Sequence, residues 1–178
     1  HLGTGFLGTP ILPKVLDDIG EIDLMYKILF KETYPSWFYS INQGATTMWE
    51  RWNSYSKKEG YNPQSMNSLN HYAYGAVGQW MYERIAGLSS LEPGYKKIRI
   101  APITSQQLTS ATASVNTPYG KASSSWKIEN NVFYLEATIP PNTTAEIHLP
   151  KTTNSKNPDI KIVSAGTYQF QTKLESNE

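Results

Sequence analysis

The sequence predicts an α+β chain, helical over residues 1–92 and an antiparallel β-sandwich over residues 93–178. Three observations carry this. Apolar residues recur at helical spacing through the first part. The period switches to two from Tyr95 onward. Turn signals then separate several short alternating runs, as in two-layered antiparallel domains.

In the helical part, Thr9-Pro10 is expected to cap and open a first helix. Ile11, Leu12, Val15, Leu16 and Ile19 form its apolar side, and Gly20 stops it. A second helix carries Ile22, Met25, Tyr26 and Leu29 and is expected to end at Tyr34-Pro35. A third runs from about Ser68 to Ile85. Its stripe is Leu69, Tyr72, Ala73, Ala76, Val77, Trp80, Met81 and Ile85. A second face, His71, Tyr74, Gly75, Gly78 and Tyr82, is neither charged nor simply apolar, and its small residues admit a close neighbour.

The sandwich part opens with "KKIRIAP", where Ile98 and Ile100 alternate with Lys97 and Arg99. "LTSATASV" and "ASSSWKI" follow, joined by the turn "TPYGK". Asn130-Asn131 is a hairpin turn before "VFYLEATI". "IPPNTTAEIHLP" gives a turn and a strand, and "IKIVSAGTYQFQT" reads as a last hairpin around Ala165-Gly166. Residues 151–159 read as a polar loop, and "LESNE" as a frayed end.

Composition excludes several function classes. Net charge is +1 over 178 residues, which gives no electrostatic case for nucleic acid or an anionic membrane. No apolar run approaches the roughly 20 residues of a spanning helix. With no cysteine, disulfides and thiolate metal sites are out, and the composition suits an exported protein as well as a cytoplasmic one. No two histidines share a helix face and no acidic cluster has calcium-loop spacing, so neither metal nor cofactor is expected. Four of the five tryptophans fall within residues 37–80. Indoles beside polar groups suit sugar recognition, and they also fill cores.

Glu50, in "TTMWERW", is the first candidate for chemistry. A carboxylate between Trp49 and Trp52 could activate a water as general base. Local sequence alone slightly favours a structural acid paired with Arg51 or a distant cation, although Arg51 is a poor direct partner because neighbours in an extended segment point opposite ways. His71 could donate to a hydroxyl or be a satisfied interior histidine.

Five segments together resemble a known family: "TGFLGTPILPKVL", "YPSWFYSINQGATTMWERWNSY", "MNSLNHYAYGAVGQWMYERIAGL", "PGYKKIRIAP" and "TPYGKASSSW". In this order and spacing they resemble the carboxy-terminal part of bacterial α-L-rhamnosidases, from His1 to about Lys127 and more weakly beyond. The resemblance implies the last helices of an (α/α)6 barrel followed by a β-sandwich. It implies hydrolysis of terminal α-linked L-rhamnose with inversion, which needs one acid and one base. It makes Glu50 the general base and places His71 in the sugar site, with Trp49 or Trp52 as a wall. The family's general acid lies in an earlier motif that these residues lack, so the chain alone is expected to be inactive. Its partners would be a rhamnose-containing glycoside and the preceding part of the same polypeptide, with apolar surfaces prone to self-association where those partners are missing. The alternatives are another inverting (α/α)6 hydrolase and a non-catalytic carbohydrate-binding module on the sandwich.

Overall fold

The computed structural model describes residues 2–150 and 159–174. The polar stretch expected at 151–159 lies outside them except for Asp159, and so does the frayed end beyond Leu174. The chain divides into two compact units, His1–Trp80 and Met81–Glu178.

The first unit holds α1 (Gly5–Gly8), α2 (Leu12–Asp18), α3 (Ile22–Leu29) and α4 (Trp37–Asn42). Thr9 does not cap α2. Its backbone is itself helical, whereas an N-cap residue needs extended angles. The buried hydroxyl instead donates to the Gly5 carbonyl at 2.6 Å, and Pro13 takes the first turn of α2. Of the expected stripe on α2, Leu16 is buried while Ile11, Val15 and Ile19 are exposed. α3 buries Met25, Tyr26 and Leu29 as expected, but ends at Leu29, well before Tyr34-Pro35. α4 has no counterpart in the sequence reading. Ser36 starts it from extended backbone, and its hydroxyl accepts the Tyr39 N–H at 3.0 Å.

A two-stranded ribbon follows, β1 (Tyr55–Ser56) with β2 (Gly60–Tyr61). The helix expected from Ser68 starts only at Ala73, as a 3₁₀ turn Ala73–Ala76 leading into α5 (Val77–Trp80). The reason lies in the backbone of 68–71, which is committed elsewhere. The Glu50 N–H donates to the Ser68 carbonyl at 2.9 Å, and the His71 N–H donates to the Met48 carbonyl at 2.8 Å. Tyr74, expected on the polar face, is buried with Ala73, Val77 and Trp80, while Tyr72 is exposed.

The second unit begins with a π turn, Met81–Ile85, closed by the Ala86 N–H on the Met81 carbonyl at 2.9 Å. Gly87 ends it at φ +79°. A β-carbon there would lie 2.2 Å from the Pro102 nitrogen, so glycine is required both for its backbone angle and for space. The strands are β3 (Leu88–Ser90), β4 (Lys97–Ile100), β5 (Ser110–Thr117), β6 (Gly120–Glu129), β7 (Val132–Ile139), β8 (Thr144–Leu149), β9 (Asp159–Val163) and β10 (Gly166–Lys173). They form two four-stranded sheets, ordered β10-β7-β6-β5 and β3-β4-β8-β9.

The first sheet is antiparallel throughout, and Asn130 and Asn131 turn its central hairpin with φ of 51° and 61°. The second contains one parallel pair, β4 with β8. β9 and β10 are not a hairpin: β9 pairs with β8 and β10 with β7, so the chain changes sheet at Ser164–Gly166. Alternation fixes which face a residue takes, not which strand lies beside it, and sandwich chains often switch sheets at such corners. The shared core is Leu88, Ile98, Ile100, Ala122, Trp126, Phe133, Leu135, Ala137, Ile139, Ala145, Ile147 and Leu149.

Two inward groups of β6 reach the start of the unit. The Trp126 indole N–H donates to the Ile85 carbonyl at 2.7 Å, and the Ser124 hydroxyl donates to the Ala86 carbonyl at 2.6 Å. Both side chains are buried, so both carbonyls are paired away from water.

Candidate active site

The segment Thr47–Arg51 runs beside residues 65–71, and the two are laced together. Besides the two backbone bonds above, the Thr47 hydroxyl donates to the Leu69 carbonyl. Glu50 adds a bond from its side chain: Oε2 accepts the Ser68 N–H at 2.8 Å. The other oxygen, Oε1, has no protein hydrogen bond among the described residues, and Glu50 forms no ion pair there. Arg51 does not neutralise its neighbour. Its Nε donates to the Met66 carbonyl at 3.0 Å and its Nη2 to the Ser65 carbonyl at 2.9 Å.

Glu50 lines a polar cleft of about 260 Å³ with Phe6, Tyr34, Arg51, Trp52, Asn53, Met66 and Tyr74. Its wall is a run of aromatic contacts. Trp52 stacks on Tyr74 at 3.9 Å and meets Trp37 edge-on at 5.2 Å. Phe6 meets Tyr74 edge-on at 5.2 Å. The Trp37 indole N–H fixes this wall to the Tyr74 carbonyl at 2.9 Å, and the Ser40 hydroxyl donates to the Trp52 carbonyl at 2.8 Å. Burial pushes the Tyr74 phenol up from its ordinary value, with Tyr34 adding to the effect and Arg51 opposing it. The phenol is therefore neutral at physiological pH and able to hydrogen-bond.

The sequence-derived site residues do not all share the cleft. Glu50 and Trp52 do. Trp49 lines an apolar cavity of about 280 Å³ with Trp37, Ile41, Met48 and Trp52, and packs edge-on against Tyr55 at 6.4 Å. Trp52 is the one indole common to both cavities. His71 reaches the cleft through Phe6, on which it stacks at 4.7 Å, with Tyr72 on its other neighbour contact at 5.2 Å. Its Nδ1 accepts the Ala73 N–H at 3.3 Å. In the neutral ring the proton therefore sits on Nε2, which is left as a donor.

Phe6, Tyr34, Asn53 and Met66 escaped the sequence reading. Phe6 is brought in by α1, whose short "TGFLG" segment has no helical period. Met66 takes part through backbone with φ of 59°, for which a methionine gives no signal. Among the described residues no group of three His, Cys, Asp or Glu could hold a metal ion.

Comparison with known proteins matches the chain to two family models that meet near residue 86. Residues 1–85 match the model of the bacterial alpha-L-rhamnosidase six-hairpin glycosidase domain, and residues 87–162 that of the bacterial alpha-L-rhamnosidase C-terminal domain. An alpha-L-rhamnosidase of Formosa agariphila is 61% identical over 97% of this chain and 21% of the relative. One of Alteromonas sp. is 53% identical over 96% of this chain and 20% of the relative. The chain thus spans about a fifth of the length of these curated relatives. The crystal structure of Streptomyces avermitilis alpha-L-rhamnosidase complexed with L-rhamnose superposes with a TM-score of 0.90 at 40% identity, covering 97% of this chain and 18% of that one. The native enzyme from Aspergillus terreus gives 0.89 at 39% identity, covering 96% and 19%. Through both of its units, this chain belongs to the bacterial alpha-L-rhamnosidase family.

Proposed function

We propose that this chain supplies the carboxy-terminal part of an alpha-L-rhamnosidase that hydrolyses terminal alpha-L-rhamnose from glycosides with inversion. In this reading the helical unit completes an (α/α)6 barrel with helices that precede it, and the sandwich, which already includes β3 (Leu88–Ser90), follows. The exposed side of α2 is covered by those helices.

The observation that carries the reading is the state of Glu50. One oxygen is anchored by the Ser68 N–H, the other has no protein hydrogen bond among the described residues, and Glu50 lines the polar cleft. A general base needs this arrangement: a fixed carboxylate with one oxygen free to take a proton. Oε1 accepts the proton of a water as that water attacks the anomeric carbon. The leaving oxygen is protonated by an acid supplied from the preceding helices. Trp52 offers the sugar an apolar wall, and His71 donates from Nε2 to a hydroxyl. Trp49 acts from behind by packing the segment that carries Glu50.

The test is hydrolysis of p-nitrophenyl glycosides by the polypeptide that joins this chain to the preceding barrel, with the first-formed sugar followed by NMR. We expect turnover of the alpha-L-rhamnoside, release of the beta anomer first, and no turnover by residues 1–178 alone. Release of the alpha anomer first would overturn inversion. Turnover of a different sugar in place of rhamnose would overturn the substrate.

A further inference from the structure

Arg51 stands beside the proposed base yet makes no bond to it. Its guanidinium spans two successive carbonyls, Ser65 and Met66, at 2.9 and 3.0 Å. These carbonyls begin the strap that returns, at Ser68, the N–H holding Glu50 Oε2 at 2.8 Å. The strap needs holding. Met66 sits at φ of 59°, a left-handed angle that a non-glycine residue adopts only when its surroundings impose it.

Asn67, inside the strap, and the backbone of Arg51 each have anchors of their own. The Asn67 amide donates to the Ser54 carbonyl at 3.0 Å and to the Asn62 carbonyl at 3.2 Å. The buried Ser54 hydroxyl accepts the Arg51 N–H at 3.2 Å and donates to the Arg51 carbonyl at 3.0 Å, so the backbone bearing the guanidinium is itself anchored. A closed circuit results: Glu50 to Ser68, along the strap to Met66, across to Arg51, and back through one peptide bond to Glu50.

We propose that Arg51 is a positioning residue for Glu50, holding the 65–68 strap so that the Ser68 N–H fixes the carboxylate in its productive orientation. This rests on the reading of Glu50 as general base. A planar fork holds its two donors in a fixed geometry that matches two adjacent carbonyls, whereas a lysine offers its donors from one point on a flexible stem and fixes the pair less rigidly. Arg51 acts through geometry, so its loss displaces the base without removing it. Misplacing a catalytic group by about 1 Å costs on the order of 100-fold in rate.

The experiment is a double-mutant cycle in the polypeptide that carries the complete barrel, with p-nitrophenyl alpha-L-rhamnoside as substrate. The variants are Glu50→Gln, Arg51→Met, the pair together, and Arg51→Lys, each checked by circular dichroism. Methionine keeps the apolar stem of the arginine, which limits loss of packing. We expect Arg51→Met to lower kcat roughly 10- to 100-fold with KM within about twofold. Arg51→Lys should fall in between. The pair should be no slower than Glu50→Gln alone, because a strap with no base to hold has nothing left to do.

If Arg51→Met does not fold, the cycle runs with Arg51→Lys. Normal kcat in a folded Arg51 variant, with Glu50→Gln slow, would overturn the positioning role and leave the base standing. A raised KM with unchanged kcat would make Arg51 a sugar ligand and overturn it too. Losses that multiply in the pair would show that Arg51 acts apart from Glu50. Full activity of Glu50→Gln would remove the base itself, and the positioning role with it.

Discussion

Replacing Trp126 by phenylalanine tests how the sandwich holds its first residues. The indole is 2% exposed and donates to the Ile85 carbonyl at 2.7 Å. Phenylalanine keeps the ring contact with Phe133, now 5.8 Å between centroids, but loses the donor. The carbonyl of Ile85 is then left without its partner, at a cost of about 1–3 kcal/mol. The smaller ring leaves a void of about 40 Å³, adding roughly 1 kcal/mol at about 24 cal/mol per Å³. The expected loss is about 2–4 kcal/mol.

Ser124→Ala separates the two contributions, since it removes the neighbouring donor to Ala86 with almost no change in volume. It should cost about 1–3 kcal/mol. Both carbonyls belong to one short segment, so the double variant should lose less than the sum. The assay is urea unfolding of the sandwich transition followed by circular dichroism. Midpoints of both single variants equal to that of the wild type would refute the anchoring role of these bonds.

Three further outcomes are expected. Gly87→Ala should destabilise the second unit severely, because the new β-carbon meets the Pro102 nitrogen at 2.2 Å with φ at +79°; thermal melting reads this, and an unchanged midpoint would contradict it. Glu146 is held below the usual carboxylate range first by the Lys97 ammonium at 2.6 Å and then by His148. Its folded value is the lower one, so its contribution is present above the unfolded carboxylate value of about 4.3 and is lost as pH falls through the folded value. Glu146→Gln should therefore be less stable than wild type at neutral pH, with the gap closing in acid; a gap that widens in acid would reverse the sign. Finally, His71→Phe keeps a ring on Phe6 but removes the Nε2 donor, so KM for the rhamnoside should rise about tenfold, roughly 1.4 kcal/mol. A lower melting point with KM unchanged would make His71 structural.

Much of the sandwich is legible from sequence because its signals are local. Val132–Ile139 alternates residue by residue, and Asn130-Asn131 dictates its own turn. Partner choice is not local. The parallel pairing of β4 with β8, and the parting of β9 from β10, depend on contacts far apart in the chain. In the helical unit, period overstated the helix at Ser68, because hydrogen bonds from residues 48 and 50 claim that backbone first. α4 hides in a short segment where one serine cap replaces a period.

The site divides in the same way. Glu50 and Trp52 stand out by residue type and come together in the cleft. Phe6 and Met66 arrive through backbone path alone. The answer to whether Glu50 pairs with Arg51 also needed the structure, since nothing in "WERW" tells that the guanidinium turns to Ser65 and Met66.

The most direct test of Glu50 as general base is the turnover of p-nitrophenyl alpha-L-rhamnoside by the barrel-complete polypeptide and its Glu50→Gln variant, with folding compared by circular dichroism. The amide can still accept the Ser68 N–H through its carbonyl oxygen, so the cleft should keep its shape. A folded variant with kcat reduced about 100-fold or more is the expected result. Equal turnover in both proteins would contradict the mechanism and leave Glu50 a structural acid.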